Sequence, residues 1–223
     1  YPDGKFIGTV GGGDLENRVI KAALQTLDDG KAQTLFYTMA DPSRGDPGVC
    51  GGQVEVFVEP IFPPPTLVVI GAGHVGKAVV HLAKWLGFRV VVSDDRKEFC
   101  NPESTPGADE YYPVEMGKLA ESMKITKQTY LVITSRGSGV DVVGLPSLLE
   151  SEAKYIGVIG SKRRWSVTAK ALKEKGIKEE LINKVRSPMG IELQAETPEE
   201  IAVSIMAEVL MVKDGGTGKV MKE

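Results

Sequence analysis

The stretch "VVIGAGHVGKAVV", Val68 to Val80, constrains the fold more than any other part of the chain. The strand-forming run "TLVVI" leads straight into Gly71-x-Gly73-x-x-Gly76. Those glycines open a segment whose apolar residues Val75, Val79, Leu82 and Leu86 recur at helical spacing. Glycines at that spacing permit a tight turn, close approach of a pyrophosphate and tight helix–strand packing. Such a junction belongs in a parallel α/β sheet, with a phosphate-bearing ligand at the helix N-terminus. The acidic residue expected about twenty positions later is Asp94, at the end of "VVVSDD", where it would read sugar hydroxyls. Arg96 beside it would meet a phosphate or face water. His74, inside the turn, is either at the mouth of the site or a solvated turn residue.

The chain after residue 66 keeps alternating. Strand "RVVVS", strand "TYLVIT", a helix near 141–150, strand "YIGVI" and a helix from about 162 follow in turn. A last helix starts at Thr197, with Pro198 at its first turn and Glu200 completing a capping box. This alternation predicts a Rossmann-like parallel sheet covered on both faces. "FPPPT", Phe62 to Thr66, stiffens a short linker. It divides a smaller N-terminal α/β domain, residues 1–62, from the Rossmann-like domain, residues 63–223. In the small domain, Asp3-Gly4 predicts a hairpin turn followed by a strand over 6–10. Little chain precedes that turn, so a natural N-terminal segment is expected to be missing. The open strand edge predicts self-association as a homo-oligomer. Leu15, Val19, Ala23 and Leu27 predict a helix capped by Asp14 and stopped at Gly30, before strands "AQTLFYT" and "QVEVFVEP".

Three further places carry chemistry. In "GTVGGGDLE", the amides of Gly12 and Gly13 with Glu16 in the first helical turn either bind an anion or only make a turn. Gly160-Ser161 is a second strand–glycine–helix junction, followed by Lys162, Arg163 and Arg164. Cations at a helix N-terminus oppose its dipole, so the run is an anion site or a solvated basic face. Cys50, in "GDPGVCGGQV", stands among glycines that would let the backbone turn and leave a thiol in reach.

Composition narrows the partners. A formal charge of −3 argues against nucleic acid or an anionic membrane, and no apolar run approaches a membrane span. Two distant cysteines and two histidines make a metal site unexpected, and a reducing cytoplasm is the natural setting. The fingerprint by itself suggests an NAD(P)-dependent oxidoreductase. Its proton-transfer group would have to be His74, His81 or Tyr155.

In order, "GTVGGGDLE", "CGGQVEVFVEP", "VVIGAGHVG", "SDDR", "YIGVIGSKRR" and "SPMGIELQAETPEEIAVSIMAEVL" resemble the xanthine dehydrogenase accessory protein family (XdhC/CoxI) over nearly the whole chain. The resemblance implies an accessory domain followed by a Rossmann domain. It also implies a role in maturing molybdenum hydroxylases: holding the molybdenum cofactor (molybdopterin), supporting its sulfuration and passing it to the apo-hydroxylase. A cysteine desulfurase would be a further partner. On this resemblance Cys50 falls on the family's "CGG" and would touch the molybdenum or its sulfur, or relay a persulfide. The family's "TH…H…D" pattern is here "TSRGSGVD", in which only Thr134 and Asp141 match.

Overall fold

The structure, a computed structural model, describes residues 1–221. The last two residues of the expected second domain lie outside the described residues. The chain divides into two compact units, Tyr1–Pro63 and Pro64–Glu223.

The first unit is one helix and one hairpin. Helix α1 (Gly13–Asp29) ends at Gly30, which takes the left-handed conformation (φ 73°) that terminates helices. Strands β1 (Gln33–Thr38) and β2 (Gln53–Val58) pair antiparallel, from Gln33 opposite Val58 to Thr38 opposite Gln53. Two local expectations fail. The Asp3-Gly4 turn forms, with Gly4 N–H donating to the Tyr1 carbonyl at 3.0 Å, but residues 6–10 make no strand. A strand needs a ladder partner for its backbone, and none flanks this segment among the described residues. Instead the Glu16 carboxylate accepts from the Val10 amide at 3.2 Å and from the Thr9 hydroxyl. The open edges in this unit are therefore those of β1 and β2, each paired on one side. Asp14 is not the cap either. Gly12 takes that place, and Asp14, one position into the helix, pairs with Arg18 at 2.7 Å.

The second unit carries a six-stranded, wholly parallel sheet. In chain order its elements are β3 (Thr66–Ile70), α2 (His74–Trp85), β4 (Arg89–Ser93), β5 (Glu110–Tyr112), α3 (Leu119–Ser122), β6 (Thr129–Ile133), α4 (Ser138–Leu149), β7 (Tyr155–Val158), α5 (Lys162–Glu174), α6 (Glu179–Ile182), β8 (Val185–Arg186) and α7 (Pro198–Asp214). The strand order is β5-β4-β3-β6-β7-β8, with every pair parallel. Continuous apolar runs are what a strand buried on both faces requires. Alternate residues divide between two cores. Leu67, Val69, Val90 and Val92 pack on the side of α2 and α7, and Val68, Ile70, Val91 and Leu131 on the side of α4 and α5. The Thr197 capping box forms in both directions, at 3.2 and 3.1 Å to and from Glu200. The chain runs outward from β3 through β4 to β5, then returns to lay β6 on the other side of β3. That reversal opens a crevice at the carboxyl ends of β3 and β6, the place where open α/β sheets bind ligands.

Candidate cofactor site

Each fingerprint glycine has a separate reason. Gly71 has φ 110°, and a Cβ there would sit 2.6 Å from the Thr134 carbonyl oxygen, because β6 ends against the turn. Thr134 tightens the contact by donating its hydroxyl to the Gly71 carbonyl at 2.6 Å. At Gly76 a Cβ would overlap the Gly71 carbonyl oxygen, so this glycine lets α2 pack onto the turn. Gly73 differs: its φ is an ordinary −75° and a Cβ would meet nothing within 4 Å. Space is kept there beside the first amides of α2, whose N-terminus has no side-chain cap and is open to an anion.

A crevice of about 330 Å³ runs from Gly71 between the ends of β4 and β6 to the start of α4. Its walls are mainly apolar: Ile70, Val114, Met116, Val140 and Val143. Ser93, the last residue of β4, lines it, and its hydroxyl is fully buried without a hydrogen-bond partner. At the mouth, Arg136 pairs with Asp95 at 2.8 Å.

Asp94 is nearly buried and heavily engaged. One oxygen accepts from the Ala72 amide and Arg96 Nη2, both at 2.8 Å. The other accepts from the Arg96 amide at 3.0 Å and Nε at 2.9 Å. The Arg96 guanidinium also stacks 4.0 Å above the Phe99 ring. Burial pushes the Asp94 carboxyl up, but the bonds from Arg96 and Ala72 outweigh it and hold the group below its ordinary value.

The second glycine junction is occupied by the chain itself. Ser161 caps α5, accepting from the Arg164 amide at 3.2 Å. A Cβ at Gly160 (φ 142°) would lie 2.7 Å from Arg164 Cδ, so the glycine clears a path for that side chain. Arg164 reaches back to the loop after β6. It donates to the Ser135 hydroxyl at 2.7 Å and carbonyl at 3.2 Å, and pairs with the fully buried Asp141 at 2.7 Å. Ser135 also bonds Asp141. Of the basic run, Lys162 and Arg163 stay exposed, while Arg164 positions the crevice wall.

The other residues singled out lie elsewhere. His74 and His81 line a separate depression between α2 and α7, with Lys77 and Glu199. Tyr155 is buried, which raises its pKa, and its donation to the Glu208 carboxylate at 2.7 Å raises it further. In the first unit, Gly12 and Gly13 have φ of 75° and 64°, and open space where a Cβ would stand. Glu16 is spent on Thr9 and Val10. Cys50 is exposed, in the loop joining β1 to β2, which Gly51 N–H to Met39 O (2.6 Å) and Met39 N–H to Gly52 O (2.9 Å) close. Cys100 is buried against the Val92 carbonyl, and burial pushes its thiol up. Among the described residues, no group of three or more metal-ligating side chains comes together, and no helix is long and apolar enough to cross a membrane.

Comparison with known proteins decides the family. Residues 67–209 match the XdhC Rossmann domain and residues 1–38 match the XdhC and CoxI family. The chain belongs to the XdhC family. Among its relatives, Escherichia coli YqeB, which bears the name of an uncharacterized protein, is 36% identical over 98% of this chain and 40% of its own length. A probable xanthine dehydrogenase component of Bacillus subtilis is 29% identical over 71% of this chain and 46% of its own. The E. coli molybdenum cofactor insertion chaperone PaoD is 23% identical over 95% and 76%. The XdhC-family chain thus spans less than half the length of the first two. The crystal structure of a xanthine dehydrogenase from Bacillus halodurans shares its fold, with a TM-score of 0.60 at 22% identity over 96% of this chain and 85% of that one.

In this XdhC-family chain, Ser93, Ser135 and the crevice-facing residues of α4 come together only in the folded structure. Ser93 had a signal: a hydroxyl closing an otherwise apolar strand, at the sheet end where ligands sit. Ser135 and Arg164 are 29 residues apart, and nothing local joins them.

Proposed function

We propose that this chain is an accessory protein in the maturation of molybdenum hydroxylases. It binds molybdenum cofactor as cargo, supports its sulfuration and hands it to the apo-hydroxylase. One observation carries the reading: a ready-made crevice at the switch point has apolar walls and the unpartnered, buried Ser93 in its lining, and it starts at Gly71, two residues before the uncapped N-terminus of α2, where Gly73 leaves open space. His74, His81 and Tyr155, the candidate proton carriers of an oxidoreductase, lie outside its lining. The carboxylates that do line it are each paired with a cation, Asp94 with Arg96, Asp95 with Arg136 and Glu115 with Lys118, which suits a carrier better than an NAD(P)-dependent dehydrogenase. The name of PaoD points the same way.

In this reading the α2 amides hold the cargo's phosphate, and the slot between Val140, Val143 and Ile70 takes its flat ring system. Thr134, Ser135, Asp141 and Arg164 hold the walls. Gly12, Gly13 and Gly160-Ser161 serve backbone geometry. The exposed Cys50 thiol, in the first unit, is the candidate sulfur carrier: it would take the outer sulfur of a cysteine desulfurase's persulfide by thiol exchange, releasing the desulfurase thiolate. The test is to mature an apo-hydroxylase with limiting molybdenum cofactor, with and without the chain. A several-fold rise in activation, reduced by Cys50→Ser, is expected. Equal activation with and without the chain would overturn the proposal.

A further inference from the structure

We infer that Arg96 sets the ligand specificity of the crevice: by filling the Asp94 carboxylate it withholds the acceptor that would read a ribose diol, so the crevice takes a phosphate-bearing planar heterocycle and leaves any sugar unread. The inference rests on the crevice being a ligand site, as proposed above, and not on the cargo containing molybdenum.

Acceptor capacity at Asp94 is already used up. An ionised carboxylate offers about four lone-pair sites. Asp94 already receives four donors, from the Ala72 amide, the Arg96 amide, Nε and Nη2, all between 2.8 and 3.0 Å. Two sugar hydroxyls would have to displace the guanidinium fork, a planar bidentate pairing that is among the stronger hydrogen-bonded arrangements. The fork is held from its other side by the Phe99 ring at 4.0 Å. The Arg136 guanidinium at the mouth is not free for a bound phosphate either, because Asp95 matches it. What the crevice does offer is independent of a sugar: apolar walls around Ile70, Val140 and Val143, with Ser93, whose buried hydroxyl has no hydrogen-bond partner, in its lining. The dinucleotide fingerprint is therefore kept at the phosphate end and disabled at the ribose.

The test compares ADP with 2′,3′-dideoxy-ADP by calorimetry, because the ratio of their affinities reports the diol alone. Wild type should show a ratio near one. Arg96→Ala frees two acceptor sites and should prefer ADP at least about tenfold, since hydrogen bonds to a charged group are the stronger ones. Arg96→Lys, which keeps the charge but loses the fork, should fall between and guards against a misfolded alanine variant. Gly139→Leu fills the crevice from α4, where a Cβ meets nothing within 4 Å, and should abolish the gained preference. A wild type that already prefers ADP overturns the inference. So do Arg96→Ala and Arg96→Lys variants without a preference, including variants that bind neither probe. Binding of dideoxy-ADP or released molybdopterin to wild type supports the ring slot, the tighter of the two naming its source; binding of neither removes it. A wild type that fails to retain molybdopterin while Arg96→Ala gains the diol preference would sink the cargo reading and leave Arg96's role standing.

Discussion

Removing the carboxylate of Asp141 is the perturbation that most directly probes how the crevice is held. Asp141 is fully buried and pairs with Arg164, whose side chain is only 22% exposed, so the pair is screened little by solvent. Taking away one member of such a pair leaves an uncompensated charge inside and costs about 3–5 kcal/mol. In a unit of this size each kcal/mol moves the melting midpoint by about 2–4 °C, so Asp141→Ala should melt roughly 6–20 °C lower. Arg164→Ala should be comparable, because it strands Asp141 and removes both bonds to Ser135. The double variant removes both charges and should therefore be less destabilised than the sum, with a coupling of about 1–3 kcal/mol. Urea unfolding of the four proteins, read by far-ultraviolet dichroism, closes the cycle. Additivity within about 0.5 kcal/mol would show that the two side chains do not act as a unit, and the account of the crevice wall would fail.

The glycine turn separates packing from binding: Gly76→Ala should destabilise by about 1–3 kcal/mol or more through overlap with the Gly71 carbonyl, while Gly73→Val should leave the melting midpoint nearly unchanged and weaken binding of phosphate-bearing ligands. Calorimetry and melting curves on both variants check this. Thiol labelling at pH 8 with an aromatic disulfide should modify Cys50 promptly and Cys100 only under denaturant, as one is exposed and the other buried with its pKa raised. Asp94 has its pKa lowered on folding, so the stability it contributes is present above the unfolded value of about 3.9 and is lost as pH falls through the lower folded value. The stability gap between wild type and Arg96→Ala should accordingly narrow on acidification below about pH 4, read by urea midpoints across that range.

The strands of the second unit were legible because each is a short apolar run next to a glycine or a helical pattern, and the last helix because its capping box is local. β5 and β8 were missed: Glu110–Tyr112 and Val185–Arg186 are too short to carry a period, and only pairing with β4 and β7 makes them strands. The strand expected at 6–10 shows the converse, a local pattern with nothing to pair against. At the site, the glycines could be read because their reasons lie within a few residues or in the backbone itself. Asp94 was visible as a residue but not in its state, since that depends on Arg96 folding back two positions later and on Phe99 beneath it. Arg164 looked like part of an anion site because its charge is plain in the sequence; its partner Asp141 lies 23 residues away, on another helix.

The proposed function requires that the switch-point crevice carry molybdenum cofactor. The most direct measurement is the molybdenum and oxidised-pterin content per chain after incubation with cofactor and gel filtration, for wild type, Gly73→Val and Gly139→Leu. Near-stoichiometric retention by wild type, cut at least about tenfold by both substitutions, is the expected result; tenfold corresponds to about 1.4 kcal/mol of binding. Retention by the two variants equal to that of wild type, or no retention by any of the three, would contradict it.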